Sequence, residues 1–226
     1  DAFYYSTWKV GHKWNEEEFF GSGIRDYILF VEPIIDSLGL DPKVSDMLEL
    51  GCGVGRMTRN LSHHFKHVYA TDVSPEMISK AKTYIPKVTN VTWCISDGFE
   101  IPSIRNNSLD FAFSFLVFQH IPEKEIILAN VKEILRTLKP GGVFLFQYNG
   151  QTNPITGWRE RVIWGILDKW RIPLIPALFR IDTMEAGKTW NGSPLTSDEV
   201  KRFISREGGR VVATRGVDTP AAWAWG

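Results

Sequence analysis

The sequence predicts a doubly wound α/β fold, a largely parallel sheet with helices on both faces, on three observations. Short apolar runs alternate with segments of helical period from Val44 to Gln147. The glycine-rich run Gly51-Cys52-Gly53-Val54-Gly55 stands between the first such strand and the helix after it, and Lys139-Pro140-Gly141-Gly142 divides a helical stripe from a fifth apolar run. With 226 residues and 43% hydrophobic composition, the chain can bury the core that such a sheet needs within one domain.

Taken in order, Glu16, Glu17 and Glu18 form the charged first turn of a helix after Asn15. From Ile24 onward, Ile28, Val31, Ile35 and Leu38 recur at helical spacing, and Gly39 stands where a cap belongs. Val44 to Leu50 reads as a strand, and Met57, Leu61 and Phe65 as the buried stripe of the next helix. His67 to Thr71 is a second strand, ended by Asp72. Ser74-Pro75-Glu76 then starts a helix, with a capping hydroxyl and proline at the first helical position, and Met77, Ile78, Ala81 and Tyr84 mark its inner face. Val91 to Ser96 and Leu109 to Phe115 are two more strands. Ile127, Val131, Ile134 and Leu138 form a helical stripe, followed by the strand Val143 to Gln147. The alternation stops after Asn149, where Gln151 to Thr189 is rich in tryptophan and proline. Thr196-Ser197-Asp198-Glu199 then starts a helix bearing Val200, Phe203 and Ile204, and two strands around Asp218-Thr219-Pro220 are expected to pair antiparallel at the sheet edge.

Composition narrows the function. Lysine and arginine total 26 and so do aspartate and glutamate, so no global positive field gathers nucleic acid, and no nucleic-acid partner is expected. Cys52 and Cys94 are the only cysteines and lack a neighbouring ligand at metal spacing, so neither a zinc site nor a disulfide framework is expected. No apolar run reaches about 18 residues, and the start lacks the basic and apolar regions of a signal peptide. A cytoplasmic location without a transmembrane segment is the expectation.

The chemistry is carried by Leu48-Glu49-Leu50-Gly51-Cys52-Gly53-Val54-Gly55-Arg56. Glycines between a strand and a helix let a ligand lie against the backbone, facing the helix N-terminus. Asp72 ends the next strand, where a carboxylate can accept both hydroxyls of a ribose; the two features together describe an adenosine site. A dinucleotide turn wants its third glycine at position 56, and Arg56 stands there instead.

With Asp97-Gly98 after the third strand and Leu-Lys-Pro-Gly-Gly before the fifth, the set resembles a class I S-adenosylmethionine-dependent methyltransferase of the small-molecule type, over about half the chain. The resemblance implies a seven-stranded Rossmann-like sheet of order 3-2-1-4-5-7-6 with the last strand antiparallel. It implies S-adenosyl-L-methionine as cofactor and S-adenosyl-L-homocysteine as product. Gly51, Cys52 and Gly53 would pass beneath the methionine part of the cofactor, with Glu49 ordering the loop. Asp72 would hold the ribose, Val73 and Met77 would line the adenine pocket, and Asp97 with Gly98 and Phe99 would read the adenine edge. Phe115 would lie near the sulfonium. Residues 1–226 then form one domain: an N-terminal lid and leading helix at 1–42, a cofactor core at 43–150, an inserted acceptor-side lid at 151–189, and the final helix and edge strands at 190–226.

On the acceptor side, His120 follows the fourth strand and is either a general base for a hydroxyl acceptor or a structural cap before Pro122. Tyr4, Tyr5, Trp8 and Trp14 lie where related enzymes close a lid. Arg25 either pairs with the cofactor carboxylate or is a solvated surface arginine. Between Gln151 and Thr189, Trp158, Ile163, Trp164, Leu167 and Trp170 give an apolar face that packs on the core or a second subunit, rests on a membrane surface through 155–179, or, as favoured, roofs the acceptor pocket. The expected function is methyl transfer to an oxygen or nitrogen of a small molecule, sugar or lipid-linked acceptor. The alternatives are a non-catalytic S-adenosylmethionine-binding module and a nicotinamide oxidoreductase.

Overall fold

The computed structural model describes residues 14–150, 192–216 and 222–226. Helix α1 (Glu16–Asp26) opens on Asn15, whose side chain accepts the Glu18 N–H. It runs through a π turn (Tyr27–Val31) into α2 (Glu32–Leu38), which Gly39 ends in the left-handed conformation. Strands and helices then alternate: β1 (Asp46–Leu50), α3 (Arg56–His64), β2 (His67–Asp72), α4 (Pro75–Tyr84), β3 (Val91–Ile95) and β4 (Leu109–Ser114). A short 3-10 turn (Phe118–His120) precedes α5 (Lys124–Thr137) and β5 (Leu138–Tyr148). Helix α6 (Ser197–Arg206), β6 (Ala213–Arg215) and β7 (Ala222–Trp225) complete the described chain.

The seven strands lie in the order β3-β2-β1-β4-β5-β7-β6, with β1 to β5 parallel and β7 antiparallel to both β5 and β6. This is the order that the resemblance implied. Alternation along the strands builds two cores. Leu48, Leu50, Ala112, Phe144 and Phe146 face α5 and α6, whereas Met47, Phe111, Phe113 and Leu145 face the π turn, α2 and α3.

Two elements depart from the sequence reading. Of the expected stripe, Val31 and Ile35 are buried, but Ile28 is 51% exposed and Leu38 37%. The buried apolar positions are Tyr27, Val31 and Ile35, which continue from the buried Gly23 in steps of four, with Ser22 and Asp26 buried beside them. A four-residue step overshoots one α-helical turn by about 40°, and the wider winding of the π turn takes part of that drift back. Strand β5 begins at Leu138, five residues before Val143. Leu109 pairs with Leu138 and Phe111 with Val143, so Lys139 to Gly142 bulge outward opposite Asp110, whose carboxylate holds Lys139 at 2.6 Å.

Candidate functional site

The carboxyl ends of the parallel strands meet at one edge, because β1 lies between β2 and β4, with Leu50 level with both Thr71 and Ser114. The chain turns off β1 at Gly51, whose φ of 75° suits glycine. The N–H groups of Gly51 and Cys52 both donate to the Thr71 carbonyl at 2.8 Å, fastening the turn to β2. A side chain at position 51 is also shut out by space, since a Cβ there would fall 2.2 Å from Val117 Cγ2.

Asp72 binds this turn to the start of α4. Its Oδ2 accepts the Gly53 N–H at 2.8 Å and its Oδ1 the Ser74 N–H at 2.9 Å. A carboxylate has about four acceptor positions, so each oxygen retains capacity for a further donor. Asp72 is half-buried at the edge, while Val73 beside it is 63% exposed and Phe99, after β3, is 50% exposed. Exposed Val73 next to a carboxylate with unused acceptor positions, and exposed Phe99 beyond the end of the neighbouring strand, suit a flat heterocycle on a ribose. Gly98 lies against Val73, a Cβ there falling 3.7 Å from Val73 Cγ1. Asp97 Oδ1 accepts the N–H groups of Phe99 and Glu100, each at 2.8 Å, and these bonds hold its carboxyl below the usual range.

Behind the turn, Glu49 is 4% exposed and accepts the Thr58 hydroxyl at 2.6 Å, which ties β1 to α3. Burial pushes its carboxyl up to about 7, against the opposing effects of the Thr58 bond and Arg56. Burial likewise pushes the Cys52 thiol well up, so it behaves as a small packing group. Phe115, just past β4, is half-buried and packs with Phe30 at 5.3 Å and Trp223 at 5.2 Å between ring centroids. Phe30 and Trp223 stack at 4.8 Å.

Arg25 is 68% exposed, with Nε 3.6 Å from Asp26. The arginine buried at this corner is Arg56. Its Nη1 lies 2.5 Å from Asp26 Oδ2 and 3.2 Å from Ser22 Oγ, and its guanidinium stands 5.6 Å from the Phe115 ring centroid. Sequence reasoning noticed Arg56 only as a missing glycine; a basic residue opening a buried helix was the signal that a carboxylate partner exists. His120 is exposed, and its Nε2 lies 3.3 Å from Gln119 Nε2. Gly192, where the described chain resumes, donates to the Gln119 carbonyl at 2.8 Å, and Asn149 Nδ2 donates to the Gly192 carbonyl at 2.9 Å. The expected acceptor-side lid at 151–189, the membrane-surface stretch 155–179, and Tyr4, Tyr5 and Trp8 lie outside the described residues. Among the described residues, no helix is long and apolar enough to cross a membrane.

Residues 48–146, which carry this whole edge from β1 to β5, match the family model described as a methyltransferase domain. Over these residues the chain is similar to the class I S-adenosylmethionine-dependent methyltransferases. A 2-methyl-6-phytyl-1,4-hydroquinone methyltransferase of Synechocystis sp. is 27% identical over 183 residues, 77% of this chain and 56% of that protein. Phosphoethanolamine N-methyltransferase 2 of Caenorhabditis elegans is 32% identical over 108 residues, 46% of this chain and 24% of that protein. The chain thus spans about half or less of the length of these relatives. In fold, it resembles a methyltransferase from Aquifex aeolicus at a TM-score of 0.58 and 20% identity, covering 94% of this chain and 98% of that one. Magnesium protoporphyrin IX methyltransferase from Synechocystis, solved with bound S-adenosylhomocysteine, gives a TM-score of 0.61 at 13% identity, covering 99% and 90%. S-Adenosylmethionine is the cofactor of that class.

Proposed function

We propose that this chain binds S-adenosylmethionine at the Gly51–Asp72 corner and methylates a small molecule that carries a planar apolar ring. The observation that supports this most is Asp72, half-buried, with one backbone N–H on each oxygen, exposed Val73 next to it and exposed Phe99 beyond the end of the neighbouring strand. When bound, the cofactor supplies a methyl group on a positively charged sulfur, which leaves by direct displacement. Asp72 accepts both ribose hydroxyls. Val73, Met77 and Phe99 enclose the adenine, and Asp97 with the backbone of Gly98 and Phe99 receives its polar edge. Gly51, Cys52 and Gly53 run beneath the methionine part, held by Glu49 through Thr58. Phe115 offers an electron-rich face to the cationic end. His120 takes the proton of a hydroxyl acceptor, and an amine acceptor that is already neutral needs no such base.

The partly buried rings of Phe30 and Phe115, packed on the buried Trp223, favour a ring-bearing acceptor, and the hydroquinone named in the Synechocystis relative belongs to that class. The test is incubation with methyl-labelled S-adenosylmethionine and simple hydroquinones and phenols, followed by chromatography of the organic phase. Label should move to a ring compound. Cofactor binding without transfer to ring compounds, amines or a small-molecule extract would support the non-catalytic module instead.

A further inference from the structure

Leu116, between Phe115 and Val117, has a φ of 61°, the left-handed region in which a side chain crowds its own backbone. Such a residue persists where its surroundings hold it. Leu116 lies beyond Ser114, the last residue of β4 paired with β5, and its N–H donates to Gln147 Oε1 at 3.1 Å. Gln147 belongs to β5 and is 2% exposed. On one side of Leu116, Phe115 meets Phe30 and Trp223. On the other, Val117 closes over Gly51 and its carbonyl accepts the His120 N–H at 2.9 Å. One backbone conformation therefore sets the aromatic ring, the cover of the glycine turn and the start of the His120 turn.

We propose that Gln147 is a positioning residue: its amide oxygen holds Leu116 left-handed and so keeps Val117 on the Gly51 turn and Phe115 in place. The proposal rests on the reading of this corner as the cofactor site. Methionine at 147 has similar bulk but no amide oxygen, so the partly buried Leu116 N–H loses its acceptor and the turn relaxes. Glycine at 116 adopts the same φ without steric cost and holds the turn without help.

Titration of S-adenosylhomocysteine into the parent, Gln147→Met, Leu116→Gly and the double variant separates these roles. Gln147→Met should bind about ten-fold more weakly, the size expected when a left-handed residue loses its support. Leu116→Gly and the double variant should both bind within about three-fold of the parent, because glycine carries no strain to be held. A folded Gln147→Met protein that binds as the parent does overturns the proposal, and so does a double variant as weak as Gln147→Met. If Gln147→Met fails to fold, a folded double variant with parental affinity supports the proposal; a double variant that also fails to fold makes Gln147 a core residue only and overturns it. A parent that does not bind overturns the cofactor reading and the proposal with it.

Discussion

His120 and Glu49 show how side chains of one sheet edge acquire different properties from their surroundings. His120 is exposed. His120→Ala is expected to lower turnover on a hydroxyl acceptor by about 100-fold while leaving cofactor affinity intact. Rates within a few-fold of the parent would return the residue to its structural role. Glu49 is buried and its carboxyl lies near 7, above the ordinary value of 4.5. The folded state thus binds this proton more tightly than the unfolded state. The contribution to stability is full below about pH 4.5 and is lost as pH rises through about 7. Glu49→Gln removes that dependence, so urea unfolding of the variant across pH 4 to 8 should show a flatter stability profile than the parent. Parallel profiles would place the charge elsewhere. The places of Asp72 and Phe115 at strand ends and of Gly51 in its turn were legible in the sequence because strand ends and glycine turns are local patterns. Gln147 was not, because its partner lies 31 residues away and glutamine in a strand has no local signature.

At the level of elements, α1 is joined to α3 by the buried pair of Asp26 and Arg56, with Ser22 as a third member. Removing one partner leaves the other charge buried. Arg56→Met is expected to cost about 3 to 5 kcal/mol in denaturant unfolding, and Asp26→Leu in the same chain should recover most of the loss. Additive losses would show that the two residues act separately. Helix starts were the most legible features: Ser74 accepts the Met77 N–H, and the helix start expected at Thr196 carries a reciprocal capping box with Glu199. The π turn was not legible, because its apolar residues fit an ordinary helical period until the buried positions proved to be four apart. The long β5 was missed because proline and two glycines read as a turn; those residues do bulge out, but pairing resumes on both sides.

For the molecule as a whole, the alternation of strands and helices made the parallel sheet legible, while the order of its last strands rested on resemblance to a family. No local pattern states that β7 inserts between β5 and β6; that arrangement follows from Ala222 and Ala224 packing into the core beside Phe144 and Phe146. The sheet brings Gly53, Asp72, Val73 and Phe99 to one edge from three different connections, and this convergence is what the account takes to be a nucleoside site. Calorimetric titration of S-adenosylhomocysteine into the parent and Asp72→Ala tests it most directly. Two hydrogen bonds to a carboxylate, each worth about 1.5 to 3 kcal/mol, predict binding by the parent and a loss of at least about ten-fold in the variant. A parent that does not bind, or a folded Asp72→Ala protein with unchanged affinity, would contradict the account.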